Sequence, residues 1–155
     1  MKIRIKFCRT DDTDISFPAP SYETVGSSGM DLRACLHKLQ RLKGIKIFPK
    51  KRVLIPTGFK VEIPRGYEGQ IRARSGLALN FGIGLVNSVG TIDSDFRGEL
   101  KVLLINFGEE TFVLSHGVRI AQLVISPVVR VECHLVNFLG ETDRNEAGFG
   151  STGVS

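Results

Sequence analysis

A polar segment in the middle of the chain has side chains suited to hydrolytic chemistry. Gly90 to Glu99 carries three acids, an arginine and an aromatic ring between two apolar runs, residues 83–89 and 100–105. Because both runs are typical of strands, we expect the segment to be a polar turn displayed by a β-hairpin. An aspartate there is ionised at neutral pH and can take a proton from water. The alternative is a solvated hairpin tip in which the aspartate only caps the turn.

A second segment, Arg74-Ser75-Gly76, combines three groups that bind phosphate. The guanidinium offers a fork of donors, the serine a hydroxyl, and the glycine a backbone that a ligand can approach closely. We expect a short helix over residues 75–80 with Ser75 as a possible N-cap, which would add free N–H groups. The plainer alternative is a strand end with an incidental arginine.

Arg119 and Gln122 are polar residues within an otherwise apolar run. A buried strand rarely holds such residues without partners. They have opposite parity on an ideal strand, so one face cannot present both. Either a bulge intervenes or one of the two is structural, and we expect Gln122 to be the functional one.

Five segments, taken in order, resemble the five motifs of the trimeric deoxyuridine triphosphatases (dUTPases). They are Ser28–Ala34, Ala73–Ala78, Gly90–Glu99, Arg119–Val124 and Gly148–Gly153. The similarity extends over residues 28–153, and the strings ARSGLA and GTIDSDF match the family almost letter for letter.

The resemblance implies an enzyme that hydrolyses dUTP to dUMP and pyrophosphate with Mg²⁺, by attack of water on the α-phosphorus. Such an activity keeps uracil out of DNA and supplies dUMP for thymidylate synthesis. Members of the family are homotrimers whose active sites are shared between subunits, and the resemblance implies the same assembly here. By the same resemblance Asp93 is the general base, and Asp31 reaches the metal–triphosphate assembly through water; the alternative for Asp31 is an aspartate that fixes a turn. The implied substrate-binding residues are Arg74, Ser75, Gly76, Asn87, Gly90, Thr91, Ile92, Phe96, Lys101, Gln122, Arg144, Phe149, Gly150, Ser151 and Thr152.

The resemblance also implies how the nucleoside is recognised. Backbone groups of the hairpin at residues 84–96 would pair with uracil, while Phe149 of the tail would stack on it. Phe96, where most of the family has tyrosine, would pack on the deoxyribose and exclude a 2′-hydroxyl. Other departures are Ala73 in place of proline and Asn145 and Ala147 in place of glycines. The last two could stiffen the tail or shift its closure.

The rest of the chain must fold to position these groups, and its pattern is that of a β protein. Apolar and polar residues alternate at residues 3–7, 59–63 and 129–135, which predicts strands with one buried face. We expect a single-domain, all-β, jelly-roll-like distorted barrel with one short helix. The barrel would span residues 1–141, and residues 142–155 would form a flexible arm that closes over an active site. Residues 35–43 have some helical periodicity but are expected to form a loop.

Composition narrows the class of protein further. The chain has 155 residues, a net charge of +5 and three scattered cysteines, which argues for one domain and against a disulfide framework or a zinc site. A basic protein favours anionic partners, but its basic runs contain few aromatic residues, so we expect no nucleic-acid partner. The sequence has no membrane-length apolar run and no secretory signal, so we expect no membrane partner and a cytoplasmic location.

Two other functions remain open from the sequence. A dCTP deaminase shares the fold and commonly has phenylalanine at position 96, but it needs a glutamate where Leu103 stands. A non-catalytic nucleotide-binding regulator is the second. Asp93→Asn separates an enzyme, which would lose turnover and keep binding, from a pure binder.

Overall fold

Strands account for almost all regular structure in residues 3–148, the part of the chain that the computed structural model describes. The strands are β1 (Lys6–Arg9), β2 (Met30–Arg33), β3 (Ile45–Ile47), β4 (Arg52–Glu62), β5 (Tyr67–Ala73), β6 (Ile83–Leu85), β7 (Val89–Ile92), β8 (Glu99–Asn106), β9 (Phe112–Leu114) and β10 (Arg119–Pro127). One helix, α1 (Ser75–Phe81), and a 3-10 turn at Lys38–Gln40 complete the described elements.

Two four-stranded antiparallel sheets form the barrel. Their strand orders are β1-β4-β8-β6 and β2-β10-β5-β7, and β3 pairs with β9 in a small third sheet. The inner faces meet in one apolar core, in which Leu32 and Leu123 of the second sheet and Ile55 and Val102 of the first are fully buried. The predicted all-β, jelly-roll-like architecture is confirmed.

The alternating pattern places side chains as predicted in the central strands. Phe59 and Val61 are buried while Lys60 between them is exposed. On β8, Leu100, Val102 and Leu104 point into the core, so the residues between them face outward. This parity puts Lys101 and Leu103 on the outer surface of the first sheet, where a ligand can reach them.

The predicted hairpin around residues 90–99 is wrong. Residues 83–89 do not form one strand: β6 and β7 are separated by a turn in which Ser88 has a positive φ of 55°. β6 pairs with β8 in the first sheet, whereas β7 pairs with β5 in the second. The polar segment therefore crosses from one sheet to the other. β6 buries Ile83 and Leu85, whereas Val89 at the start of β7 is exposed, so the apolar letters of residues 83–89 come from two different environments.

The predicted strand at residues 129–135 is also wrong. Within the described chain, residues 128–148 pair with no strand, and Val129, Val131 and Leu135 are 85%, 76% and 103% exposed. Alternation alone does not form a strand, because the backbone of each strand needs a partner for its hydrogen bonds.

The short helix is confirmed, but its first residue differs from the expectation. Arg74 occupies the N-cap position in extended conformation and Ser75 is the first helical residue, with no side-chain cap. Gly82, with φ of 64°, ends the helix in the left-handed conformation that glycine adopts readily. Residues 35–43 form mostly loop, as expected, with the 3-10 turn inside it.

A histidine fixes the loop that follows β2. Nδ1 of His116 accepts the Leu36 N–H at 3.0 Å, and the imidazole lies 5.0 Å from the ring of Phe17. Burial, aided by the Arg41 guanidinium, lowers the pKa of His116, so the ring stays neutral and Nδ1 stays an acceptor. Cys8, Cys35 and Cys133 are all free thiols. No helix in residues 3–148 is long and apolar enough to cross a membrane.

Candidate active site

An aspartate on β2 holds two arginines at the first of two cavities, the more polar one. Asp31 is only 12% exposed; its Oδ2 accepts a hydrogen bond from Nη1 of Arg119 at 3.0 Å, and its Oδ1 lies 3.5 Å from Nε of Arg74. Nη1 of Arg74 also donates to the backbone oxygen of Arg119 at 3.2 Å. Glu23 adds a further carboxylate, 3.3 Å from Arg119. The carboxylates fix the directions of two guanidinium groups that remain partly exposed.

A bulge brings Arg119 and Gln122 to the same cavity. The pairing of β10 with β2 shifts register between Arg119 and Ala121, while Gln122 lies opposite Asp31. The extra residue reverses the parity of the strand, so both polar side chains line the cavity although Ile120 and Ala121 are buried. Of the two alternatives that the sequence left open, the bulge is the one that the structure shows.

The same cavity, of about 300 Å³, includes the start of α1. Ser75 and Gly76 are exposed, and in the described residues the Ser75 hydroxyl makes no hydrogen bond. A β-carbon on Gly76 would meet no atom of this chain within 4 Å. The cavity therefore offers guanidinium, hydroxyl, amide and backbone donors to a ligand that enters from outside, which suits an anion such as phosphate.

The second cavity, of about 420 Å³, is lined by outward-facing residues of the first sheet and by residues of β7 and the start of the crossing segment. Leu54, Ile71 and Leu103 supply apolar lining. The polar residues and glycine around them are Asn87, Gly90, Thr91, Asp93, Glu99 and Lys101, with Ile92 and Phe96 completing the lining. An apolar pocket with a few convergent polar groups is typical of a small-molecule site.

Asp93 stands where the segment leaves β7. Its backbone oxygen accepts the Phe96 N–H at 3.1 Å, and the Arg97 guanidinium donates to the backbone oxygens of Ser94 and Phe96. These bonds hold the turn without using the Asp93 carboxylate, which is exposed. Asp93 also lines a neighbouring cavity with Arg65. The carboxylate is therefore open to water.

Phe96 lies over a glycine. A β-carbon on Gly98 would fall 2.5 Å from Cζ of the Phe96 ring, so the ring occupies the space that a side chain at position 98 would need. The ring is 39% exposed and faces the second cavity, where it can contact a ligand.

Glu99 anchors the far side of this cavity. Its Oε1 accepts the Gly58 N–H at 2.9 Å, and its Oε2 lies 3.7 Å from Nζ of Lys101. Gly58 has a φ of 76°, and the bulge between Pro56 and Lys60 turns its N–H toward the carboxylate. Glu99 thus keeps Lys101 at the cavity wall.

The structure groups the expected site residues into two sets. Asp31, Arg74, Ser75, Gly76 and Gln122 line the first cavity; the second is lined by Asn87, Gly90, Thr91, Ile92, Asp93, Phe96 and Lys101. Among residues 3–148, no residue lines both cavities. Arg144 lines neither cavity. Its Nε donates a hydrogen bond to the backbone oxygen of Ala147, three residues along the chain, at 2.8 Å. Phe149, Gly150, Ser151 and Thr152 lie outside the described residues.

Several lining residues were not identified from the sequence. Glu23 has no distinctive neighbours in the sequence, and only the fold brings it to Arg119. Leu54, on β4, could have been found from strand parity, since it lies outward between Val53 and the buried Ile55.

Comparison with known proteins identifies the dUTPase family. A model of the dUTPase family matches residues 16–153. The deoxyuridine 5'-triphosphate nucleotidohydrolase of Dinoroseobacter shibae is 53% identical over 153 residues, which cover 99% of this chain and 99% of that protein. The enzyme of the same name from Rhizobium johnstonii is 55% identical over 135 residues, 87% of this chain and 85% of that protein.

Solved structures show the same fold. The Staphylococcus bacteriophage 80alpha dUTPase with dUPNHPP superposes with a TM-score of 0.82 at 23% identity, covering 97% of this chain and 99% of that one. A variant dUTPase from phage phi11 of S. aureus, with a structural Mg(II) ion, gives a TM-score of 0.73 at 19% identity over 87% and 97% of the two chains.

Proposed function

Since the chain belongs to the dUTPase family, we propose that it hydrolyses dUTP to dUMP and pyrophosphate. The observation that carries this proposal is the pairing of an exposed carboxylate, Asp93, with an apolar-walled cavity of about 420 Å³. The other cavity, with its two anchored guanidinium groups, supplies the donors that a triphosphate requires.

The second cavity is the proposed nucleoside site. Backbone groups of Gly90 to Ile92 and the Asn87 amide line it and can pair with the two acceptors and one donor on the edge of uracil. Thymine would be excluded because its extra methyl group has no room against the hairpin backbone, and cytosine because its amino group would meet a donor. Phe96, fixed over Gly98, would pack on the deoxyribose and leave no space for a 2′-hydroxyl.

The first cavity is the proposed triphosphate site. Arg74, Ser75, Gly76 and Gln122 would bind phosphate oxygens there, and Asp31 keeps the Arg74 guanidinium oriented before substrate arrives. Donors that are already in place cost no reorganisation when charge develops on the phosphates.

The donor chemistry also fits Mg²⁺, as a metal held mainly by the substrate. In residues 3–148, no group of three His, Cys, Asp or Glu side chains could hold a metal ion, and Asp31 is engaged by two arginines. Mg²⁺ favours phosphate oxygens and water over an all-protein cage. Asp31 would reach such an ion through water, and the ion would neutralise charge on the triphosphate.

The chemical step needs only one proton acceptor from the protein. The Asp93 carboxylate takes a proton from water, the water oxygen forms a bond to the α-phosphorus, and the bond from that phosphorus to the bridging oxygen breaks. Pyrophosphate leaves with the bonding electrons, and Asp93 later releases its proton to solvent. A base in this role contributes about 10²- to 10⁴-fold in rate.

A homotrimer with shared active sites is part of the proposal. The family resemblance is the ground for this, and it agrees with two cavities that, within residues 3–148, share no lining residue: a complete site would join the cavities of different subunits. Exposed apolar residues between β10 and the arm, such as Val131, Leu135 and Phe138, offer contact area for a neighbour. Sedimentation equilibrium should give three times the chain mass of 17.1 kDa.

The arm after residue 141 would then close over the site. Arg144 and the residues that follow it, Phe149 to Thr152, would meet the phosphates and the base and exclude bulk water. We place this activity in the cytoplasm, since its substrate belongs to the pool of free nucleotides.

The proposal is tested by the products formed from four nucleotides. Purified protein with Mg²⁺ is incubated with dUTP, dCTP, dTTP or UTP, and the products are separated by chromatography. Formation of dUMP from dUTP alone supports the proposal. A uracil product from dCTP would support the deaminase instead. Leu103 argues against that outcome, because a leucine in the nucleoside cavity cannot transfer the protons that deamination needs. If none of the four nucleotides is hydrolysed, the non-catalytic nucleotide-binding regulator is the remaining function.

A further inference from the structure

The positive charge of this protein is concentrated in one short segment. Residues 38–52 contain seven of the 21 lysines and arginines and none of the 16 acids. The remaining 14 basic and 16 acidic residues leave the rest of the chain at −2, against +5 for the whole. No residue of this segment lines either cavity of the candidate active site.

The cations of this segment are exposed and largely without acid partners. Among the described residues, only Arg41 forms an ion pair, with Asp14 at 3.9 Å. The exposed cations that make none are Lys38, Lys43, Lys46, Lys50, Lys51 and Arg52. Unpaired surface cations keep their full attraction for an anionic partner.

The fold places aromatic rings beside these cations. The backbone N–H of Lys50 donates to the oxygen of Asn106 at 2.7 Å, and that of Phe107 donates to the oxygen of Gly82 at 2.8 Å. The turn at residues 48–51 therefore adjoins the end of β8 and the end of α1. Three exposed rings lie in this region, and with three lysines they form the basic aromatic face: Lys46, Phe48, Lys50, Lys51, Phe81 and Phe107.

These rings are about half exposed or more, although two of them also pack within the chain: the Phe81 ring lies 5.1 Å from that of Phe112, and the Phe107 ring lies over Gly84. Phe48, Phe81 and Phe107 are 55%, 52% and 66% exposed. Lys50 adopts a φ of 60°, a conformation in which glycine or asparagine is more usual, so the backbone alone gives no reason for a lysine there. Glu109 and Glu110, exposed in the turn after Phe107, limit the positive region on one side.

Lysines beside exposed aromatic rings suit one class of partner. Phosphates can contact the lysines while unstacked bases lie on the rings. A duplex would engage only the lysines, since its bases are already stacked. We propose that the basic aromatic face binds single-stranded nucleic acid without sequence preference. The sequence argued against nucleic acid because its basic runs hold few aromatics, but Phe81 and Phe107 come from other elements.

The first test is binding of a labelled oligothymidylate, which is not a nucleoside triphosphate, to the full chain. Fluorescence anisotropy is measured in EDTA over a series of salt concentrations. We compare Lys46→Ser/Lys51→Ser with Lys6→Ser/Lys60→Ser. Each double variant removes two exposed positive charges, but the second pair lies on β1 and β4, outside the face, and Lys6 there is paired with Glu62 at 2.8 Å. The first should weaken binding by about tenfold or more and reduce the salt slope by about 1.4.

The rings are tested separately with Phe48→Ala. Affinity for the single strand should fall by about fivefold or more, while affinity for a duplex of equal length stays the same. Turnover of dUTP and the melting temperature serve as controls for folding in every variant. Failure of the unaltered protein to bind the oligonucleotide, equal losses in the two double variants, or a single-strand affinity indifferent to Phe48→Ala would overturn the proposal. Preferential binding to vesicles of anionic lipid would also overturn it.

Discussion

Gly29 leaves the space that Gln122 occupies. A β-carbon at position 29 would lie 2.7 Å from Oε1 of Gln122 and 3.0 Å from its Cβ. Gln122 in turn donates through Nε2 to the backbone oxygen of Ala73 at 3.2 Å, next to Arg74. The absence of a side chain at Gly29 therefore sets the position of an amide in the proposed triphosphate site.

Gly29→Ala should displace the Gln122 amide from the triphosphate site. Since a displacement of about 1 Å can cost up to about 100-fold, we expect kcat/KM for dUTP to fall by about tenfold or more. Steady-state kinetics measures this loss. Gly26→Ala is the matched control, because a β-carbon there meets nothing within 4 Å. Equal kinetics in the two variants would show that Gln122 is not positioned by Gly29.

Asp31→Asn should release the two arginines that the carboxylate holds. Arg74 and Arg119 would then face each other without a shared counter-charge. We expect the KM for dUTP to rise and the free energy of unfolding to fall by about 1–2 kcal/mol, between the values for exposed and fully buried pairs. Kinetics and urea denaturation measure the two effects. A loss of stability with an unchanged KM would mean that Asp31 is only structural.

Gly98→Ala should push the Phe96 ring out of its place, because the new methyl group would lie 2.5 Å from Cζ of the ring. The expected result is a lower ratio of kcat/KM for dUTP to that for UTP, since the ring no longer excludes the 2′-hydroxyl. Phe96→Ala should reproduce this loss of discrimination and Phe96→Tyr should not. If both Gly98→Ala and Phe96→Ala discriminate between dUTP and UTP as well as the unaltered protein does, Phe96 does not exclude the 2′-hydroxyl.

His116 should make the protein less stable in mild acid. Burial, followed by Arg41, lowers the pKa of His116 below its usual 6.5, and Asp14 opposes this shift only in part. The unfolded chain therefore binds a proton at a higher pH than the folded one. Stability from this group is complete above pH 6.5 and is lost as the pH falls from 6.5 through the folded pKa.

Urea denaturation at several pH values checks this expectation. His116→Asn keeps an acceptor near the Leu36 N–H but cannot titrate, so its stability should depend less on pH than that of the unaltered protein. Parallel pH dependence in the two proteins would contradict the assignment to His116.

The motifs were recognisable from the sequence because their chemistry depends on residue type and local order. The barrel followed from period-2 alternation in strands such as β4 and β8. The crossing of the polar segment between the sheets could not be predicted from the sequence. β7 pairs with β5 rather than with β8, and residues far apart in the sequence decide that pairing. Alternation at residues 129–135 predicted a strand, but within the described chain no partner strand lies beside it.

The same limit applies inside the site. Because Arg119 and Gln122 have opposite parity, the sequence could not decide whether both face the site. Only the register of β10 against β2 revealed the bulge that brings them together. Contacts between distant residues, such as Glu23 with Arg119, leave no local pattern in the sequence.

The measurement that tests the central claim most directly is a comparison of turnover and binding in Asp93→Asn. The amide keeps the shape of the side chain but cannot accept the proton of water. We predict a fall in kcat for dUTP by about 10²- to 10⁴-fold, with an unchanged dissociation constant for a non-hydrolysable dUTP analogue. Asp95→Asn, in the same turn, should retain most turnover. Normal turnover in Asp93→Asn would contradict the assignment of Asp93 as the base.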